Sequence, residues 1–395
     1  MRLIGLMGLM GLMGLASCSG EQIVEPAVET KPETIVLPEP EPEPEVEKGI
    51  PLYLRGYVAP YKEVDMFMTR AFSFSGYVEP AEYLPIGAFF TKSGSEPEER
   101  RILCNPTDNG VEWSYTPPVE IPAGSYQFYG YMPTNAADVT IEPNSAYADG
   151  ATLHFTGMNI VATKDLCVLV GAKHATNYNE GTDTYTFGDG DLKTGNFDCQ
   201  MSAGANNYLF LLFDHIYASI SFRFLLDSDY AKMRSIHLKK LQLTAYSDNS
   251  FTVKRRKEIN ADISLRKTTD GSSPIQSITF TDNLASEEIN QETFFIGDVE
   301  LKSGTRDEDW TDEIAYVPYT RSYYTLTSTY DVYDKMGNLI RQNCTADNDI
   351  NPFYIFNISD MQRGSKYVLK LKIAPTYLYQ LSDQDLDNPT VQISN

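Results

Sequence analysis

The chain has 395 residues and a net charge of −22, and 12% of its residues are aromatic, with tyrosine the commonest at 26. That length accommodates two or three domains of ordinary size. The acidity excludes nucleic acid, and anionic surfaces bound through basic patches, as partners.

At the N-terminus, Arg2 precedes an uncharged apolar run, Leu3 to Ala16. The run is shorter than the about 20 residues a membrane span needs and has the length of a signal-peptide core. Leu15-Ala16-Ser17-Cys18 follows. This tetrapeptide resembles the lipobox of bacterial lipoproteins, which implies a signal peptide over 1–17, a diacylated Cys18 and attachment to the outer membrane through the lipid. Between Glu21 and Lys48 there are nine glutamates, six prolines and no aromatic residue. Such a stretch cannot bury enough apolar surface to offset its ordering entropy, so 18–49 reads as a semi-rigid acidic tether.

From Ile50 onward the sequence predicts strands. Phe72 and Phe74 alternate with serines, and Ser125 to Tyr131 alternates with Tyr126, Phe128 and Gly130 on one face. Leu166 to Gly171 is continuously apolar; Tyr208 to Phe213 and Ala218 to Leu226 are joined at Asp214-His215. A turn or two of helix fits Ser228 to Met233, before strands at Ser235 to Tyr246 and Phe251 to Val253. The charged run Lys254 to Glu258 suggests a domain boundary. Short runs follow at Ile275 to Phe280, Thr293 to Ile296 and Ile314 to Val317. Tyr323 to Val332 and Leu339 to Asn343 flank a hairpin turn at Asp334 to Asn338. Tyr354, Phe356 and Ile358 alternate before a loop at Arg363 to Ser365. Lys366 to Ile373 places Tyr367, Leu369, Leu371 and Ile373 on one face, and lysines that discourage edge pairing on the other. The expectation is all-β: two antiparallel β-sandwiches in series, over 50–256 and 257–395. Cys104, Cys167, Cys199 and Cys344 permit three disulfide connectivities, and a core of this size needs one disulfide at most.

Several segments together are similar to the fimbrillin superfamily, the lipoprotein pilins and related adhesins of anaerobic Gram-negative bacteria. They are Asp165 to Ala172, Leu211 to His215 with Ala218 to Phe222, Tyr330 to Asn338, Arg363 to Leu371 and the tail Pro375 to Pro389. The resemblance implies two transthyretin-like sandwiches, non-enzymatic, in a subunit of cell-surface fimbriae that mediates adhesion. It also implies that an arginine-specific protease removes an N-terminal strand, and that a strand of the next subunit fills the apolar groove left behind. Ladder hydrogen bonds would supply the affinity and alternate side chains the register. The candidate cut is Arg70-Ala71, with Arg55 a second candidate and Glu63 to Met68 part of the strand removed. The candidate donor lies in the tail 375–395, where Tyr377, Tyr379, Leu381, Val391 and Ile393 keep a period of two. The expected partners are other pilus subunits, the protease, the outer membrane and a host protein or glycan.

No nucleophile elbow, zinc-protease helix, phosphate loop or dinucleotide fingerprint occurs, and no cofactor or metal is implied. His154, His174, His215 and His237 are dispersed, without a second histidine or cysteine at ligand spacing. Asp383, Asp385 and Asp387 resemble a calcium loop, but Asn388 stands where its glycine belongs. Trp113 is a candidate aromatic for stacking on a sugar. The competing readings are therefore a non-polymerising glycan-binding surface lipoprotein and a pilus anchor.

Overall fold

The computed structural model describes residues 52–393, except for 66–83, 93, 108–109, 117–121, 160–164, 180–183, 188–193, 203–206, 247–254, 271, 290, 318–322, 360 and 378–383. Cys18, the tether, Phe72, Phe74 and the Phe251–Val253 expectation lie outside the described residues. The strands in chain order begin with β1 (Leu52–Val58), β2 (Lys62–Asp65), β3 (Ile86–Lys92), β4 (Glu98–Thr107), β5 (Gly110–Thr116) and β6 (Gly124–Met132). Next come β7 (Asp138–Pro143), β8 (Gly150–Asn159), β9 (Cys167–Asn179), β10 (Thr184–Phe187), β11 (Asp198–Met201) and β12 (Asn207–His215). They continue with β13 (Ser219–Leu226), β14 (Ser235–Tyr246), β15 (Arg255–Arg256), β16 (Glu258–Arg266), β17 (Ile275–Asp282) and β18 (Glu288–Ile289). The last are β19 (Glu292–Glu300), β20 (Ile314–Tyr316), β21 (Tyr323–Tyr333), β22 (Leu339–Ile350), β23 (Ser365–Tyr377) and β24 (Gln384–Ile393). Two short 3-10 turns, Tyr230–Lys232 and Asp307–Asp309, and one helix, α1 (Pro352–Phe356), complete the described elements. The fold is all-β.

These strands bury two separate apolar clusters. In the first, a sheet ordered β1-β12-β9-β6-β3-β4-β5, with β10 on β9 and β11 on β6, shares its core with the sheet β17-β16-β8-β7. In the second, β2-β23-β13-β20, with β24 on β23, shares its core with β19-β14-β21-β22. Period-two burial puts alternate side chains into each core, as in β16, where Ile259, Ala261, Ile263 and Leu265 are buried. Strand β6 is central instead and is buried on both faces from Tyr126 to Met132. The hairpin turn at Asp334 is present. Asp334 accepts from the amides of Met336 and Asn338, and Gly337 takes the left-handed conformation (φ 81°) that closes the loop.

Four expectations need correcting. The chain is not divided at 256/257, because β13 and β14 belong to the second core and β16 and β17 return to the first. The charged run there is itself paired: β15 lies against β18, and Arg256 meets Glu288 at 3.0 Å. The sheets are mixed, since β1–β12, β2–β23 and β13–β23 are parallel. Alternation reports which side of a strand is apolar, but not the direction of its neighbour. The alternating Tyr354 and Phe356 lie in α1, not a strand. Pro352 opens that helix, Asn351 accepts from the Tyr354 amide at 3.2 Å, and Asn357 ends it at φ 52°. Finally, β23 is a central strand. Its lysines face partners: Lys366 meets Glu313, Lys370 meets Asp307 at 3.3 Å and Lys372 meets Asp227 at 2.8 Å.

Glu313 makes the second core sensitive to acid. Burial raises its pKa, but Lys366 and Ser221 as hydrogen-bond donors, with the charges of Lys366 and Arg223, outweigh that and hold it below the usual 4.5. A carboxyl whose folded pKa is depressed contributes stability above its unfolded value and loses it as pH falls through the folded one. Glu313→Gln should therefore cost roughly 1–3 kcal/mol at neutral pH. It should also flatten the fall in stability below about pH 4.5, as read by denaturant melts across that range.

Candidate functional site

The N-terminal segment contributes Leu54 and Val58 to the first core and pairs with a sheet edge of the second. Strand β1 is an edge strand running parallel to β12, from Leu52 opposite Asn207 to Val58 opposite Phe213. Leu54, Gly56 and Val58 point inward and are buried. Tyr53 and Tyr57 stack on Tyr208 and Phe210 at 5.0 and 5.7 Å between ring centroids. Arg55, the second cleavage candidate, is therefore a paired and half-buried strand residue opposite Phe210. After a three-residue link the chain enters β2, parallel to β23, where Val64 lies opposite Tyr367 and Glu63 faces Arg223 at 3.6 Å. Arg70 and Ala71 lie outside the described residues.

The tail occupies the same edge of β23. Strand β13 pairs along one side of β23; the other side is shared end to end by β2, at Ser365–Val368, and β24, at Leu371–Tyr377. Val391 is buried in the second core and Ile393 packs against it. Tyr377 ends β23, while Tyr379 and Leu381 lie outside the described residues. Much of what holds β24 is addressed to its backbone. Tyr230 donates to the Leu386 carbonyl (2.6 Å), Tyr330 to Pro389 (2.8 Å), Asn348 to Val391 (2.7 Å) and Arg341 to Asp387 (3.0 Å). Burial pushes the Tyr330 hydroxyl up to about 12, so it remains a donor at any physiological pH. In the structure the tail is thus a strand of its own sheet. Of the aspartates that suggested calcium, Asp387 is paired with Arg234 at 2.8 Å and Asp385 accepts from the Asp387 amide; Asp383 lies outside the described residues.

Between β1 and β2, the link carries Tyr61 over a group of side chains far apart in sequence from it. The Tyr61 ring stacks on His215 at 3.7 Å, and its hydroxyl donates to Asp165 Oδ1 at 2.9 Å. His215 Nδ1 lies 2.9 Å from Asp165 Oδ2 and 3.3 Å from Cys167 Sγ. The thiol is fully enclosed, and burial, followed by the charges of Asp165 and Asp214, holds its pKa well above the usual value. This is no nucleophilic triad. A catalytic histidine takes the nucleophile's proton on one nitrogen and is oriented through the other, whereas here thiol and carboxylate both address Nδ1. The signal available was the two-residue spacing of Asp165 and Cys167; His215 arrives only through the β9–β12 register, which sets it opposite Cys167.

Cys167, Cys199 and Cys344 are free and buried, so none of the disulfide connectivities forms. Cys104 lies in β4 opposite Trp113 of β5; of the Trp113 side chain, as of Arg70, the described residues include nothing. Trp310 sits under Lys370, whose Nζ is 5.8 Å from the ring centre. No described helix is long and apolar enough to cross a membrane.

No family model matches the chain, and no curated protein does. Solved structures do. One is a candidate cell adhesion protein from Bacteroides fragilis, with TM-score 0.43 and 8% identity over 88% of this chain and 98% of that one. Another is a fimbrial protein from Bacteroides vulgatus, with TM-score 0.35 and 13% identity over 88% and 98%. A third is the fimbrial anchor protein Mfa2 from Porphyromonas gingivalis, with TM-score 0.29 and 8% identity over 87% and 95%.

Proposed function

We propose that this chain is a component of cell-surface fimbriae, delivered as a lipoprotein through Cys18 and assembled by strand replacement. The observation that carries the reading is the shared edge of β23. The strand expected to be removed and the strand expected to be donated lie end to end along it. Cleavage at Arg70-Ala71 would release β1 and β2 together, opening the β12 edge in one core and the Ser365–Val368 edge in the other. An open, apolar strand edge pairs with another chain. The side-chain donors around β24 grip main-chain carbonyls, so a strand of different sequence from a neighbouring subunit satisfies them equally well. Non-enzymatic adhesion, contact with a host protein or glycan, and residence at the outer membrane belong to the same reading.

The test treats purified precursor with an arginine-specific protease, beside Arg70→Ala. Wild type is expected to lose its N-terminal segment and form SDS-resistant ladders, and the variant to stay monomeric. A second reading, a terminal or anchoring subunit, is favoured by the tail's own docking, with Val391 buried in its own core. Cleaved protein that remains monomeric would select that reading.

A further inference from the structure

Cys167 opens β9 and His215 closes β12, directly opposite one another in register; Asp165 precedes Cys167 by two residues. Their donor atoms, Sγ, Nδ1 and a carboxylate oxygen, all lie within 4.8 Å of one another. Tetrahedral zinc bonds of about 2.0–2.3 Å place ligand atoms about 3.3–3.7 Å apart. The observed separations of 3.3 Å and 2.9 Å reach that spacing with shifts of a few tenths of an ångström. We propose that Asp165, Cys167 and His215 form a binding site for a zinc-class divalent cation, with solvent in the fourth position and Tyr61 as its cover.

The donor chemistry selects the ion. A thiolate and an imidazole are poor ligands for magnesium or calcium and good ones for zinc. Charge also balances, because one thiolate and one carboxylate neutralise a dication and leave no net charge buried. On binding, Cys167 gives its proton to solvent and its sulfur lone pair to the metal; His215 binds through Nδ1 and carries its proton on Nε2. The surroundings match those of metal sites. Asp165 is held by a hydrogen bond from Tyr61, as ligating carboxylates usually are, and two of the ligands stand on paired strands. Asp165 is the entry, with 29% of its side chain exposed. Tyr61 belongs to the link between β1 and β2, so an ion here would pin the N-terminal segment to the first core.

The test titrates the reduced full chain with Co2+, a spectroscopic stand-in, and then with Zn2+. One equivalent of Co2+ should produce a thiolate-to-metal charge-transfer band and the visible bands of tetrahedral coordination, and Zn2+ should abolish both. Cys167→Ser should remove the charge-transfer band, and Asp165→Asn should weaken binding at least tenfold. Tyr61→Phe, which keeps the ring stack, should weaken it about 10–100-fold. Far-UV circular dichroism checks each variant's fold. If Cys167→Ser does not fold, Asp165→Asn and Tyr61→Phe, whose parent side chains are only part-buried, decide. No charge-transfer band in wild type, or binding unchanged in the folded variants, would overturn the proposal and leave a hydrogen-bonded cluster that joins strand ends.

Discussion

Replacing Leu54 and Val58 together by alanine is expected to lower the stability of the first core by about 3–6 kcal/mol. Both side chains are buried, at 3% and 7% exposure, and project from an edge strand into one apolar cluster. They are four residues apart on an extended chain, about 13 Å, so their losses add. Truncation leaves the β1–β12 ladder able to form but removes most of what holds the strand inward. Arg55 should then become accessible. In the wild type it is a paired strand residue and should resist trypsin, while in the double variant Arg55-Gly56 should be cut under native conditions. Tyr53→Ala, on the exposed face, is the control and should cost about 1 kcal/mol or less. Denaturant melts and mass spectrometry of the digest read both outcomes. A double variant within about 1 kcal/mol of wild type, with Arg55 still protected, would show that β1 does not plug the groove.

Ending the chain at residue 383 should destabilise the second core by at least about 4 kcal/mol. The loss combines Val391, which is buried, with the desolvation of Tyr230 and Tyr330, whose hydroxyls would lose their carbonyl partners. It also opens the β23 edge from Leu371 to Tyr377, so the truncated chain should self-associate. A synthetic peptide of residues 384–395 should restore the monomer and its melting temperature. The same peptide carrying Val391→Asp should not, because a carboxylate would enter an apolar core. Failure of the unmodified peptide to bind would remove tail exchange from the assembly scheme. Restoration by a peptide of unrelated β-strand sequence with a valine in the same place would show that the site reads backbone.

Residue patterning alone is enough to show a β protein and to locate many of its strands. Ser235–Tyr246 is a strand with the expected bounds, and Tyr208–Phe213, Ala218–Leu226 and Tyr323–Val332 match strands to within a few residues. The reason is local: side chains alternate across a strand, so an apolar period of two shows itself wherever one face is buried. Period says nothing about neighbours. It left the parallel direction of β1, β2 and β13, the return of β16 and β17 to the first core and the burial of Lys370 to the tertiary structure. Tyr354 and Phe356 show the converse: two alternating aromatics follow a proline and an asparagine cap, and local capping outweighs so short a period. The candidate sites divide the same way. Arg70, the tail and Cys18 are contiguous motifs, legible in the chain. The shared edge of β23, and the meeting of Tyr61, Asp165, Cys167 and His215, join residues far apart in sequence, and only strand register brings such residues together.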